Sequence, residues 1–223
     1  LDDESTINRL RARRAAVDAH AGRRAGVGQT MEAALTVARA QEDLDSESMI
    51  LDYMPCIFEL LGDTKQAEFY FRQAIEFGQQ RNDLRLYAST CSNLGNLLDN
   101  MGRIDEAEAM YQESQKLYRQ LGNHVSLAYL AGNLGFLYAN AGRSDDAMAQ
   151  YRIALKGTRD VGNKRAEAYV LGNLGDLYFE LGRMGEAAGH FKRGIDLCDD
   201  HGDAFGAGAF RGSLALLLAR KGD

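Results

Sequence analysis

Glycine recurs along this chain of 223 residues at an interval of 40. The positions are Gly22, Gly62, Gly102, Gly142, Gly182 and Gly222. The chain has 24 glycines and one proline, whereas collagen-like and low-complexity glycine-rich chains are rich in both residues. The interval therefore indicates a tandem structural repeat, which restricts the fold to architectures built by stacking one unit on the next.

Other residue types keep the same interval and define the units. An alanine lies four positions before an aromatic residue at Ala67 and Phe71, Ala107 and Tyr111, Ala147 and Tyr151, and Ala187 and Phe191. A second turn signal recurs at Asn82-Asp83, Gly122-Asn123, Gly162-Asn163 and Gly202-Asp203. We predict units at about 4–43, 44–83, 84–123, 124–163 and 164–203, with a terminal half unit at 204–223, all in one domain spanning 1–223. Because the first residue is Leu1 rather than Met, we expect a fragment of a longer protein.

Within a unit, the apolar and small residues have the period of an α-helix. Ala131, Leu134, Gly135 and Tyr138 follow the spacing i, i+3, i+4 and i+7, which places them on one helical face. Each unit is therefore predicted to be a hairpin of two helices, with a left-handed glycine ending the first. Ser144 or Asp145 is predicted to cap the second helix of its unit. The glycines of the column Gly95, Gly135 and Gly175 are expected to let paired helices approach closely.

These spacings resemble the tetratricopeptide repeat, whose pattern is W-x₂-L-G-x₂-Y, then A-x₃-F, then P. The L-G-x₂-[LY] part occurs as Leu94-Gly95 with Leu98, Leu134-Gly135 with Tyr138, and Leu174-Gly175 with Tyr178. The Trp position holds Cys91, Ala131 and Leu171, the Pro position holds Arg119, Arg159 and Asp199, and the period is 40 rather than 34. Gly-Asn-Leu-Gly at 132–135 and 172–175 is similar to the long-repeat subclass of kinesin light chain, the Pins/LGN adaptors and bacterial regulators. The resemblance implies an all-α, right-handed solenoid of stacked antiparallel hairpins that acts as a protein-interaction module.

In such a solenoid, the first helices form the concave wall, and the stripe opposite their core-facing residues is predicted to line a peptide-binding groove. These residues are Ser89, Asn93, Asn96, Tyr129, Asn133, Phe136, Tyr169, Asn173, Asp176 and Glu180. The resemblance implies that the amides of Asn93, Asn133 and Asn173 bond to the backbone of a bound peptide. Bonding of the asparagines between neighbouring hairpins and packing of the aromatic residues between units are the alternatives. Asp176 and Glu180 either favour a basic partner segment or belong to a solvated charged face.

Three further local features yield expectations. Gly132, Gly172 and Gly212 form a column before the asparagines, where packing does not obviously require glycine, so we expect a ligand backbone to approach there. Pro55 is predicted to kink its helix or delay its start. The arginines Arg9, Arg11, Arg13 and Arg14 form either a basic docking face or a solvated helix surface.

Composition and motifs argue against several functional classes. No H-E-x-x-H, C-x₂-C or phosphate-binding glycine loop occurs, so we predict no enzyme, no catalytic residues, no metal and no cofactor. A net charge of −6 and the lack of a long apolar run disfavour nucleic-acid and membrane partners. Cys56, Cys91 and Cys198 are odd in number and widely spaced, which favours reduced, buried thiols in a cytoplasmic protein.

The predicted function is a scaffold that binds a peptide segment of a protein partner in the concave groove, with a role in signalling. Two alternatives remain open. Leu214, Leu216, Leu217 and Leu218 favour self-assembly as a homodimer through 204–221. The chain is otherwise expected to be the ligand-sensing regulatory arm of a larger signalling or transcription-regulatory protein.

Overall fold

The structure, a computed structural model, describes residues 4–221. Eleven helices form this part of the chain: α1 (Glu4–His20), α2 (Val27–Ala40), α3 (Leu44–Leu61), α4 (Thr64–Arg81), α5 (Leu84–Asn100), α6 (Ile104–Gln120), α7 (His124–Asn140), α8 (Ser144–Asp160), α9 (Lys164–Glu180), α10 (Met184–Asp200) and α11 (Ala204–Lys221). The predicted all-α class of stacked helical hairpins is confirmed. Two compact units divide the chain, unit 1 ending at Leu117 and unit 2 beginning at Tyr118.

A glycine in the left-handed conformation ends the first helix of each hairpin. Gly22, Gly62, Gly102, Gly142 and Gly182 have φ between 73° and 84°, which side chains other than glycine rarely adopt. Gly222 lies outside the described residues. The 40-residue interval of the sequence is thus the spacing of one backbone conformation.

The predicted cap of α8 by Ser144 or Asp145 is wrong. The helix begins at Ser144 itself, and Arg143 occupies the N-cap position without a side-chain cap bond. Its guanidinium instead lies 4.1 Å from the ring centroid of Tyr138 and donates to Asp146 at 2.8 Å. The side chain therefore bridges the two helices of its hairpin, where a short polar residue would only have capped one.

The predicted turns between hairpins are present, and their second residue caps the helix that follows. Asp83, Asn123, Asn163 and Asp203 each accept a hydrogen bond from the backbone N–H three residues later, at 3.0–3.1 Å. The residue before each of them has positive φ, as in Asn82 at 54° and Gly162 at 70°. This turn starts the first helix of every later hairpin at a fixed residue.

The two helices of a hairpin touch at the glycine column Gly95, Gly135 and Gly175. A Cβ atom added there would lie 2.5–2.6 Å from ring carbons of Tyr111, Tyr151 and Phe191 respectively. These three rings are fully buried. The expected close approach of the helices is confirmed, with the aromatic ring filling the space that the glycine leaves.

Pro55 lies inside α3, which begins at Leu44, so the predicted late start is wrong. Pro55 is buried, as are its neighbours Met54 and Ile57. Tertiary packing around the helix offsets the hydrogen bond that proline cannot donate.

Candidate functional site

The first helices of successive hairpins lie side by side within each unit and form a wall. In unit 1, α3 contacts both α1 and α5; in unit 2, α9 contacts both α7 and α11. We call the exposed side of these odd-numbered helices the inner wall. The predicted groove residues Ser89, Asn93 and Asn96 lie on α5 in unit 1 and are half-buried; Asn96 accepts a hydrogen bond from the hydroxyl of the buried Tyr111 at 2.7 Å. Tyr129, Asn133, Phe136, Tyr169, Asn173, Asp176 and Glu180 lie on the wall of unit 2.

Polar side chains in unit 1 bond across the wall to the neighbouring first helix. The Nδ2 atom of Asn93 donates to Sγ of Cys56 at 3.8 Å, over a separation of 37 residues. Ser89 donates to the carbonyl oxygen of Leu86 at 3.1 Å and also lowers the pKa of Asp52, which lies 37 residues earlier on α3. Burial raises the pKa of the Cys56 thiol to about 11 and also raises the pKa of Asp52. We call such a pair of wall residues, 37 residues apart on adjacent first helices, a step.

The steps of unit 2 differ from one another. Ser213 on α11 bonds to Asp176 on α9, which closes that step. By the same separation of 37 residues, Phe136 on α7 is the expected neighbour of Asn173 on α9. Asn173 makes no side-chain hydrogen bond within the described residues, and Phe136 is 48% exposed. An exposed ring thus replaces the polar partner that would have closed this step.

The carboxylates on the wall of unit 2 lie next to each other. Burial raises the pKa of Asp176, and the charge of Glu180 raises it further, against the opposing effect of the Ser213 bond. Both side chains reach solvent, so neighbouring groups shield Asp176 only in part. This part of the wall is acidic at neutral pH and adjoins the step between Phe136 and Asn173.

The tyrosines of the wall are exposed rings whose hydroxyls are held by the next hairpin. Tyr169 donates to the cap residue Asp203 at 3.2 Å, and its ring packs edge-to-face on Phe210 at 6.0 Å. The hydroxyl of Tyr129 accepts a hydrogen bond from the cap residue Asn163. Because each hydroxyl is anchored, these rings have fixed positions beside the wall.

The glycine column beside the asparagines is not uniform, which corrects one expectation. A Cβ atom at Gly172 would lie 2.1 Å from a ring carbon of Phe210, so packing does require glycine there. Gly132 and Gly212 face open space, with no atom within 4 Å of such a Cβ. Only these two positions leave room for a ligand backbone.

The groove residues predicted from the sequence do not include Leu216 on α11, which the structure places on the wall of unit 2. Leu216 continues the stripe of Tyr169, Asn173 and Asp176 one repeat later and is 57% exposed. Beside it, the guanidinium of Arg220 lies 4.9 Å from the ring centroid of Phe179. The 40-residue interval would have placed Leu216 beside Asp176 had the stripe been extended into the half unit.

The remaining chemistry of the described residues is limited. They contain no cluster of three or more His, Cys, Asp or Glu side chains that could hold a metal ion. The three cysteines are free; Cys91 and Cys198 are buried and Cys56 is partly buried. Burial raises the pKa of Cys91 to about 12, which disfavours its thiolate. None of the helices described has the length and apolar character needed to cross a membrane.

Comparison with known families identifies the fold. The tetratricopeptide repeat model matches residues 86–160 and 126–200, and a second model of the same repeat matches 56–77. The overlapping matches span 86–200, just over half of the chain. The chain belongs to the tetratricopeptide repeat family. No curated protein sequence matches it.

Solved structures share this fold at low sequence identity. BtubC (BKLC) from P. vanneervenii is 19% identical with a TM-score of 0.74, covering 100% of this chain and 86% of that one. A signal transduction ATPase from Pyrococcus horikoshii with a tetratricopeptide repeat sensor is 15% identical, with a TM-score of 0.82 and coverages of 94% and 32%. A Rap protein in complex with competence and sporulation factor is 14% identical, with a TM-score of 0.69 and coverages of 99% and 66%. This chain thus spans about a third of the ATPase.

Proposed function

We propose that this chain is a cytoplasmic protein-interaction scaffold that binds a peptide segment of a partner on the inner wall of unit 2. The observation that carries the proposal is the open step between Phe136 and Asn173. An amide without an internal partner presents one acceptor and two donors, which suits the backbone of an extended peptide. The family and the complex of a Rap-type relative support binding of a partner in general.

The chemistry around the open step defines the expected peptide. Phe136 and Leu216 offer apolar surface, and exposed aromatic residues contribute strongly to binding when a partner covers them. Asp176 and Glu180 lie between these two positions on the wall and favour Lys or Arg in the ligand. We therefore propose a segment with an apolar side chain next to basic residues.

The open glycine position adds room for the peptide. Gly132 immediately precedes Asn133 on α7 and has no atom within 4 Å of a built Cβ. A ligand backbone approaching here meets no side chain. Phe136 lies one turn further along the same helix, so backbone and side chain of the ligand would contact one continuous strip.

Selection from a random peptide library against the whole chain, followed by fluorescence anisotropy, tests this function. Phe136→Ser is expected to weaken the selected peptides at least tenfold, and Asn173→Ala by roughly threefold to tenfold. Ile153 on α8 is also 48% exposed, so Ile153→Ser is a control matched to Phe136 and should leave the affinity unchanged. Equal binding to all three variants, or no enriched peptides, would contradict the proposal.

Self-assembly through α11 is a second candidate, because a face of this helix is uncovered. The second helix α10 covers Leu171 and Gly175 of α9, and both of these residues are buried. The residues 40 positions later on α11, Arg211 and Ala215, are exposed. Leu218 is 40% exposed on the same side. Light scattering over a hundredfold range of concentration tests this candidate. A dimer that Leu218→Ser dissociates is the expected result, and a monomer throughout would contradict it.

A further inference from the structure

A buried carboxylate holds three cations together in unit 2. Glu167, in the first turn of α9, is 1% exposed. It accepts hydrogen bonds from Nε of Arg159 on α8 at 2.8 Å, from Nζ of Lys164 at 3.3 Å and from Nη2 of Arg193 on α10 at 3.5 Å. Burial raises the pKa of Glu167, but the bonds from Arg159 and Lys164 lower this pKa more, so the carboxylate is charged at neutral pH. We call Arg159, Lys164 and Arg193 the cation cluster.

The cation cluster carries more positive charge than the buried carboxylate neutralises. Three cations and one carboxylate leave a formal charge of +2. Burial lowers the pKa of the nearby His190, against the effect of the Glu186 charge. The charges of Arg193 and Arg159 lower this pKa further, so the surplus charge also acts on side chains outside the cluster.

Most hydrogen-bond donors of the two arginines have no acceptor within residues 4–221. Arg159 uses only its Nε atom, and Arg193 uses only its Nη2 atom. The three side chains of the cluster are between 42% and 60% exposed. Guanidinium groups with free donors bind the oxygens of phosphates and carboxylates in pairs. The cluster is therefore a candidate anion site whose arginines are already held in place.

The corresponding positions of unit 1 form the same links between helices without this surplus of charge. Glu47 accepts a hydrogen bond from Arg39, eight residues earlier, at 2.7 Å. Tyr87 bonds to Gln79, eight residues earlier, and to Glu113, 26 residues later. One acidic or hydroxyl group is thus enough to link a first helix to its neighbouring second helices. The link by itself does not account for three cations around one carboxylate.

A cavity of about 410 Å³ lies one turn beyond the cluster on α10. Leu197 lines it and follows Arg193 by four residues, which is about 6 Å along the helix. An extended peptide spans about the same distance in two residues. Arg165 and Asp203 also line the cavity and pair with each other at 3.6 Å. A peptide that places an anionic group on the cluster would therefore have room for an apolar side chain two residues away.

We propose that the cation cluster binds the phosphate group of a phosphorylated segment of a partner protein. A phosphate group carries about two negative charges and three acceptor oxygens, which match the surplus charge and the free donors. Exposed Asp160 adjoins Arg159, and exposed Asp196 lies three residues after Arg193. These carboxylates repel a long polyanion, which disfavours nucleic acid and an anionic membrane. The site uses none of the residues of the open step and is independent of the function proposed above.

The test is selection against the whole chain from a peptide library with one fixed phosphoserine, followed by fluorescence anisotropy of the enriched peptides. We expect an apolar residue two positions from the phosphoserine. Arg159→Ala/Arg193→Ala should weaken binding at least tenfold, because two charged hydrogen-bond donors are lost. Arg159→Lys/Arg193→Lys should weaken it about threefold, since ammonium groups keep the charge but not the paired bonds.

Arg39→Ala/Arg119→Ala is the matched control. Both arginines occupy the repeat position of Arg159, and Arg39 is paired with Glu47. The control variant therefore loses two positive charges and one ion pair, as a purely structural effect would require, and should bind the phosphopeptides like the wild type. Phe136→Ser should also bind them normally, which separates this site from the open step.

Several outcomes would overturn the proposal. These are a selection without enriched phosphopeptides, equal binding of the unphosphorylated or glutamate-substituted peptides, and an equal loss of affinity in the control variant. Peptides that bind no more tightly than inorganic phosphate would show that the cluster holds only a free anion. Tighter binding of duplex DNA or of anionic vesicles, lost in Arg159→Ala/Arg193→Ala, would assign the cluster to nucleic acid or to a membrane.

Discussion

Asn93 in unit 1 and Asn173 in unit 2 occupy the same position of the repeat but have different surroundings. Asn93 donates to Cys56 on the neighbouring first helix, whereas the residue 37 positions before Asn173 is Phe136, an exposed aromatic residue. The same residue type thus links two hairpins in one place and has no hydrogen-bond partner among residues 4–221 in another. A repeated residue acquires its role from the partner that stacking places beside it.

The largest expected difference in stability is between alanine substitutions at two glycines of unit 2, Gly172 and Gly132. Gly172→Ala should destabilise the protein by about 1–3 kcal/mol, because the new methyl group would overlap Phe210. Gly132→Ala should be neutral or stabilise by up to about 1 kcal/mol, since its Cβ meets open space and alanine favours helix. Urea unfolding followed by circular dichroism measures both. Similar changes in the free energy of unfolding for the two variants would contradict the difference in packing between Gly132 and Gly172.

A smaller difference is expected between the asparagines themselves. Asn93→Ala removes the bond to Cys56 and should cost about 0.5–1.5 kcal/mol of stability. Asn173→Ala removes no internal bond and should leave the midpoint of unfolding unchanged, or raise it slightly through helix propensity. The two variants are matched in chemistry and repeat position. Equal losses would indicate an internal partner for Asn173 and weaken the proposed site.

Converting the open step into a closed one should couple its two residues. In Phe136→Asn, an amide faces Asn173, and a double-mutant cycle with Asn173→Ala should give a coupling of about 0.5–1 kcal/mol. The wild-type pair should give a coupling near zero. The same substitution should abolish binding of the selected peptides. If the Phe136→Asn variant still binds the selected peptides although its two residues are strongly coupled, the amide of Asn173 is not part of the ligand site.

The smallest effect concerns the charge of the wall. The pKa of Asp176 is raised above its ordinary value of 3.8, so the folded chain holds this proton more tightly than the unfolded chain does. This carboxylate therefore lowers stability above its folded pKa, and the penalty disappears as the pH falls below 3.8. Asp176→Asn should raise the unfolding midpoint at about pH 7 and have no effect near about pH 3. If Asp176→Asn still raises the unfolding midpoint near about pH 3, the stabilisation comes from packing and not from the removal of charge.

Local chemistry explains how much of this fold was predictable. The left-handed glycines, the turns at Asn82-Asp83 and Gly162-Asn163, and the close approach of the helices at Gly135 depend on residues close in sequence, and each was predicted. The cap of α8 was not, because the contact of Arg143 with Tyr138 outweighed the usual preference for a short polar residue. The ten predicted wall residues follow from helical period, but their hydrogen-bond partners do not.

The sequence alone determined the repeat, the helices and the face on which each residue lies, since these follow from backbone conformation and a period of 3.6 residues. Only the tertiary structure decided which residues of adjacent helices meet. The pairing across 37 residues and the ring of Phe210 against Gly172 depend on how hairpins stack. Stacking depends on how side chains of two helices fit together across their interface. The volume of one side chain therefore does not specify the packing unless the residue that it contacts is also known.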